Sequence, residues 1–204
     1  MIGVIEYGMG NIQSVVNALE FLSVKCTVIH EASEIEKAEK IILPGVGAFG
    51  EGIEKLRQKS YVEALQKAVI EKKKPFLGIC LGMQLICKES FEFGHFLGLN
   101  WIDACVKRLQ VPKHYRIPHV GWNNVRIKKK NRLLAQENNT GDSDVYFVHS
   151  YYVDALDADF TIATCEYGCE FPAAIEQDNI FAVQFHPEKS QRAGLAILSN
   201  FARV

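Results

Sequence analysis

Pro75-Phe76-Leu77-Gly78-Ile79-Cys80-Leu81-Gly82-Met83-Gln84 is the stretch from which the rest of the chain is best read. Its apolar first half, Pro75–Ile79, has the composition of a buried strand, and the apolar spacing from Leu81 to Lys88 reads as the start of a helix. A strand, a sharp turn and a helix, with glycines two residues either side of a nucleophile, form a nucleophile elbow, here with Cys80 in place of serine. Gly78 and Gly82 remove side chains where the turn brings strand and helix into collision. Cys80 then lies at a helix N-terminus, where exposed N–H groups and the helix dipole favour a thiolate. The backbone N–H of Leu81 is placed to donate to an oxyanion. The residues leave a second reading open: a core cysteine packed between two glycines, since free cysteine is often buried.

Upstream, residues 2–6 read as a short strand that meets Gly8-Met9-Gly10-Asn11 and then a helical pattern, Ile12, Val15, Val16, Leu19 and Leu22. Strand, glycine turn and helix make half of a parallel βαβ unit. The glycines lack the third member of a dinucleotide fingerprint, so a plain turn is the better reading. Strands follow at Cys26–Ile29 and Lys40–Leu43. The second of these runs into Pro44-Gly45-Val46-Gly47-Ala48-Phe49-Gly50, a backbone that must turn or approach something closely. No Lys-Ser or Lys-Thr completes a phosphate loop there, which leaves a backbone N–H donated to an oxyanion as the functional reading. Helices are expected near 50–58 and 60–73, and the lysines 72–74 and 128–130 read as solvated surface.

Downstream of the elbow helix the pattern loosens, with short β pieces at 104–106 and 125–127. Between them lies Arg116-Ile117-Pro118-His119-Val120-Gly121-Trp122-Asn123, too rich in special residues for a plain connector. Residues 136–144 read as a polar loop, and Asp144–Val148 as a strand ending in His149-Ser150-Tyr151-Tyr152. Strands near 161–166, 172–176 and 180–184 precede His186-Pro187-Glu188-Lys189-Ser190, and a helix at 191–202 closes the chain with Ser190 as its N-cap. Alternating βα units first and a more antiparallel second half predict an α/β sandwich with a mostly parallel central sheet, one domain over residues 1–204.

Composition agrees with that class. Of the 204 residues 48% are hydrophobic and 23% charged, the proportions of an ordinary globular protein. A net charge of −1 invites neither nucleic acid nor an acidic membrane surface. The N-terminal residues lack a basic segment and a long apolar run, and no stretch reaches the length of a membrane span, so a cytoplasmic location is expected. Six cysteines are scattered, with only Cys165 and Cys169 at a metal-like spacing. Reduced thiols and no metal are the expectation.

A cysteine nucleophile needs a base and a group to orient that base. His186 and Glu188 lie just past a strand end, at the edge where open α/β sheets place their sites, and Pro187 stiffens the gap between them. A zinc-deaminase reading of H-x-E needs a following P-C-x-x-C, which is absent. His149 competes as base, though a place in the pocket wall suits it equally.

Gly78–Gln84, Pro44–Gly47 and Phe185–Ser190 together resemble the motifs of a class I glutamine amidotransferase, whose three-layer, flavodoxin-like sandwich is then the implied fold. Pro118–Asn123 and Phe147–Tyr152 narrow the resemblance to the glutaminase subunits of imidazole glycerol phosphate synthases, and it runs from Tyr7 to the last helix. It implies Cys80 as nucleophile, His186 as acid and base, and Glu188 as orienter. It also implies an oxyanion hole from the N–H of Leu81 and one from the 44–47 loop at Gly47. A glutamine pocket is implied at Gly47, Gln84, Glu92, His149, Ser150 and Tyr151. No cofactor is implied. The expected partner is a (β/α)8-barrel synthase that receives the ammonia in a heterodimer, faced by Asn11, Trp122, Tyr146 and Lys189. Two features depart from that pattern: the segment 88–104, and Val120 where the family usually has methionine. A subunit serving a surface-glycan synthase and a free-standing cysteine hydrolase are the alternatives.

Overall fold

The computed structural model describes residues 1–134 and 142–204, the side chains of 142 and 143 excepted; most of the expected polar loop 136–144 falls outside them. Its first part alternates strand and helix: β1 (Ile2–Ile5), α1 (Ile12–Phe21), β2 (Cys26–Ile29), α2 (Ala32–Ile35), β3 (Lys40–Gly45), α3 (Phe49–Gln58) and α4 (Tyr61–Leu65). A wider π-helical turn continues α4 through Gln66–Glu71. β4 (Phe76–Cys80) and α5 (Leu81–Leu85) make the elbow. The remainder is mostly β: β5 (Cys87–Ser90), β6 (Phe96–Leu97), β7 (Ile102–Arg108), β8 (His119–Ile127), β9 (Asp142–His149), β10 (Tyr151–Asp154), β11 (Thr161–Glu166), β12 (Glu170–Gln177) and β13 (Ile180–Val183). A 3-10 turn at Pro187–Lys189 leads into α6 (Gln191–Arg203).

A nine-stranded sheet runs in the order β2-β1-β3-β4-β13-β12-β11-β8-β9. Its pairings from β2 to β13 are parallel, and those from β13 to β9 are antiparallel. The sheet is therefore split between the two senses rather than mostly parallel, because the second half of the chain returns by short connections that suit antiparallel neighbours. β1, β4 and β13 are buried at every position, as strands covered on both faces must be. Their side chains divide by the strand period. Ile5, Ile41, Leu43, Phe76 and Ala182 join one core with α3, α4 and α5, while Val4, Ile42, Leu77, Ile79 and Val183 join another with α1 and α6. The result is a three-layer sandwich.

A second sheet, β10-β7-β5-β6, was not foreseen within 88–104. The expected helix after the elbow stops at Leu85, and Cys87 and Lys88 lie in a strand. The carbonyls of Leu85, Ile86 and Cys87 accept instead from Leu99, Trp101, Ile102 and Asn100, so the helical ladder is replaced by the return of the chain from 99–102. The special-residue segment 116–123 is also more regular than expected, since its second half forms the start of β8. Among the described residues no helix is long and apolar enough to cross a membrane.

Candidate active site

Strand β4 delivers Cys80 in a strained conformation, with φ at +52°. Both elbow glycines are needed for backbone contact. A Cβ on Gly78 would stand 2.7 Å from the carbonyl oxygen of Gly82, and one on Gly82 would be driven into the carbonyl oxygen of Leu43. The strain is therefore held by close packing of β3, β4 and α5. Cys80 is 5% exposed and opens into a cleft of about 440 Å³.

Past β13, His186 Nδ1 meets Glu188 Oε1 at 2.8 Å, both side chains almost fully buried. His186 Nε2 is buried without a hydrogen-bond partner of ordinary geometry. Burial pulls the imidazole pKa down, but the neighbouring Cys80 sulfur and Glu188 outweigh it and push it up to about 10. Ser190 stands at the N-cap position of α6, as expected, but its side chain makes no capping hydrogen bond to the helix. Its hydroxyl donates to the His186 carbonyl at 2.6 Å and accepts from the Tyr146 N–H at 3.0 Å, tying the His186 backbone to β9.

His149 is placed differently. Burial lowers its pKa to about 3, and both ring nitrogens are engaged, Nδ1 with the Tyr151 carbonyl at 2.9 Å and Nε2 with His119 Nδ1 at 3.0 Å. A neutral imidazole with both nitrogens engaged has no free site for a further proton, so His149 is placed as part of the cleft wall. Gln84 Nε2 donates to the Tyr151 carbonyl at 2.9 Å and to Gln184 Oε1 at 3.1 Å. Gln184 Nε2 in turn lies 3.6 Å from Cys80 Sγ. Glu92 accepts from the Phe49 N–H at 2.6 Å, so it secures the start of α3 while its side chain lines the cleft; burial raises its pKa against that hydrogen bond. Gly47, Leu81, Ser150 and Tyr151 also line the cleft. Gly47 has φ at +111°, and a Cβ there would come 2.8 Å from Met9 Cε.

A cysteine opening into a cleft, with a carboxylate-bound histidine buried beside it, has the parts of an acyl-transfer site. The sequence model of the family described as Glutamine amidotransferase class-I matches residues 3–204. The chain belongs to the class I glutamine amidotransferase family. Among its relatives is an imidazole glycerol phosphate synthase subunit HisH of Caldanaerobacter subterraneus subsp. tengcongensis, 50% identical over 204 residues that span 100% of this chain and 98% of the relative. The corresponding subunit of Geobacter sulfurreducens is 45% identical over 208 residues, covering 100% and 98%. Among solved structures, PurLQS from Thermotoga maritima superposes with a TM-score of 0.78 at 16% identity, covering 99% of this chain and 97% of that one. That likeness shows the shared fold alone.

This amidotransferase also groups three of the four residues expected to face a partner. Trp122 and Tyr146 are directly opposed across β8 and β9, their rings 6.1 Å apart, and Lys189 Nζ lies 5.9 Å over the Tyr146 ring. Lys189 also borders the cleft. Asn11, exposed at the start of α1, accepts from the Ser14 N–H at 3.3 Å, and α1 packs against the Pro187–Lys189 turn. Gln184 and His119 are site residues that the sequence motifs do not mark. The only signal for Gln184 was an amide inside the apolar run Ile180–Phe185; His119 had none beyond its crowded motif. All six cysteines are free, and among the described residues no three His, Cys, Asp or Glu side chains come together to hold a metal.

Proposed function

We propose that the chain is the glutaminase subunit of an imidazole glycerol phosphate synthase, acting in the histidine pathway as a cytoplasmic heterodimer with a (β/α)8-barrel synthase subunit. The observation that carries this reading is the buried His186–Glu188 pair at 2.8 Å, with Nε2 left for the sulfur of Cys80 at the mouth of the elbow. The full-length relatives named HisH direct the chemistry to a synthase subunit. In the proposed reaction the Cys80 thiolate attacks the side-chain carboxamide carbon of glutamine, and the carbonyl electron pair moves onto oxygen. The N–H groups of Leu81 and of the 44–47 loop at Gly47 hold that oxyanion. The C–N bond breaks as His186 gives its proton to the nitrogen, which leaves as ammonia. Water then gives a proton to His186 and opens the γ-glutamyl thioester, releasing glutamate and restoring the thiolate. Gln84, Glu92 and the 149–151 segment hold the substrate.

The test is Cys80→Ala in the assembled complex, with product formation measured from glutamine and from added ammonium in parallel. Glutamine-dependent synthesis is expected to vanish and ammonium-dependent synthesis to persist, since only the first needs the thiolate. Loss of both in a folded, assembled complex rejects a dedicated glutaminase nucleophile.

A further inference from the structure

A continuous run of hydrogen bonds outside the triad ends on Cys80 Sγ, and its polarity follows from a single group. The Tyr151 carbonyl only accepts, so His149 Nδ1 at 2.9 Å carries the proton. His149 is neutral, its pKa lowered by burial, which leaves Nε2 as a bare acceptor for a proton on His119 Nδ1 at 3.0 Å. His119 is likewise neutral, its pKa lowered by burial to about 4, so its own Nε2 accepts from Asn123 Nδ2 at 3.3 Å. The same amide nitrogen donates to the Glu166 carbonyl at 2.9 Å, which fixes how Asn123 is turned. Beyond Tyr151 the relay continues through Gln84 to Gln184 and the sulfur. Every member of this relay donates toward the next acceptor or shares one, and none is left unmatched.

We propose that His119 is a positioning residue for glutamine hydrolysis: by donating from Nδ1 to His149 Nε2 it holds the His149 ring, whose Nδ1–H holds the Tyr151 carbonyl, and through it the Gln84–Gln184 pair that donates to Cys80 Sγ. The proposal deepens the glutaminase reading and rests on it. Neither the proposed triad nor the cleft wall at His149 requires a third buried histidine. His119 is 2% exposed, stacked between the Tyr167 ring at 3.9 Å and the Phe147 ring at 4.8 Å, so its ring plane is fixed as well as its proton. Asn123 follows directly after the exposed Trp122 on β8, so the relay also joins the aromatic surface to the sulfur.

Packing and relay predict opposite orders for two substitutions. His119→Phe keeps the ring between Tyr167 and Phe147 but removes the donor; His119→Asn gives up the stacking but keeps a short N–H near the former Nδ1. If His119 acts through the relay, kcat for glutamine in the complex with the synthase subunit falls by about tenfold or more in His119→Phe, toward the roughly hundredfold that a misplacement of about 1 Å can cost, and much less in His119→Asn. Nitrogen-15 NMR of the histidine rings in the full-length chain supplies a readout independent of activity, with His149 and His119 both expected as Nδ1–H tautomers. A proton on Nε2 of either ring, or His119→Phe as active as His119→Asn, overturns the proposal. Absence of glutamine turnover in the unsubstituted complex rejects the glutaminase reading instead, and the tautomers still judge the relay.

Discussion

His149 lines the cleft and His186 lies buried beside Cys80, and the two are driven in opposite directions, the difference on which their proposed roles rest. His186 has Glu188 on one nitrogen and the Cys80 sulfur beside the other, whereas His149 has only neutral partners. His186→Ala is therefore expected to remove glutamine turnover almost wholly, and Glu188→Ala to cost less, since the base survives but loses its orientation. Kinetics of both variants with the partner present decide this; a His149→Ala variant as severe as His186→Ala would reverse the assignment. The neutral pair also predicts acid sensitivity. His119 and His149 stay unprotonated in the native state down to about 4 and about 3, against an ordinary value of 6.5. Between 6.5 and about 4 the unfolded chain binds protons that the native chain refuses, so stability is fully present above 6.5 and falls as pH drops through that window. Urea midpoints from pH 7 to 4.5 should fall less steeply for His119→Phe than for the unsubstituted chain, and equal slopes would contradict the burial of a neutral His119. The grouping of Cys80, His186 and Glu188 was legible at this scale because these residues lie in short, distinctive motifs. Gln184 was not, because only the fold reveals that an amide inside an apolar strand lies 3.6 Å from the sulfur.

The elbow works as an element because three backbones meet with no room for side chains. Replacing Gly82 with alanine should gain about 1 kcal/mol of helix propensity at most. The added Cβ meets the Leu43 carbonyl, however, which is backbone in the centre of β3 and has no means of moving aside. The clash dominates, and Gly82→Ala is expected to destabilise by about 3 kcal/mol or more, measured by thermal or urea unfolding. A neutral effect would mean that α5 is free to shift. The elbow and the parallel strands beside it were legible because continuous apolar runs and paired glycines are local signals. The second sheet was hidden for the opposite reason. Lys88, Glu89 and Ser90 have weak strand propensity, and β5 exists because β7 pairs with it in parallel and β6 lies along its other edge. Glu92 combines both cases: its place in the pocket came from resemblance, while its hydrogen bond to the start of α3 depends on a turn that no periodicity marks.

At the scale of the whole molecule, the surface expected to meet a partner and the loop expected to complete the oxyanion hole are in direct contact. A Cβ on Gly10 would stand 3.1 Å from Gly45 Cα, and the Met9 side chain reaches Gly47, so the turn that leads into Asn11 lies against the strand end and loop of β3. Gly47, at φ +111°, occupies a region that glycine enters and leaves without steric cost, and Val46 before it is exposed. A partner pressing on Asn11 therefore has a short mechanical route, through the Met9–Gly10 turn, to the peptide proposed to donate to the oxyanion. A missing oxyanion donor lowers the rate by about a hundredfold or more. The isolated chain is accordingly expected to hydrolyse glutamine slowly and to be stimulated by at least about that factor when the proposed barrel subunit docks with acceptor bound, the loop N–H turning inward on docking. Such coupling limits loss of glutamine when no acceptor is present. Glutamine turnover by the chain alone, with the subunit, and with the subunit and acceptor together measures it. Full activity in the isolated chain rejects partner control and favours a free-standing hydrolase. Strong stimulation by a surface-sugar synthase with none by the imidazole glycerol phosphate subunit keeps the mechanism and reassigns the pathway.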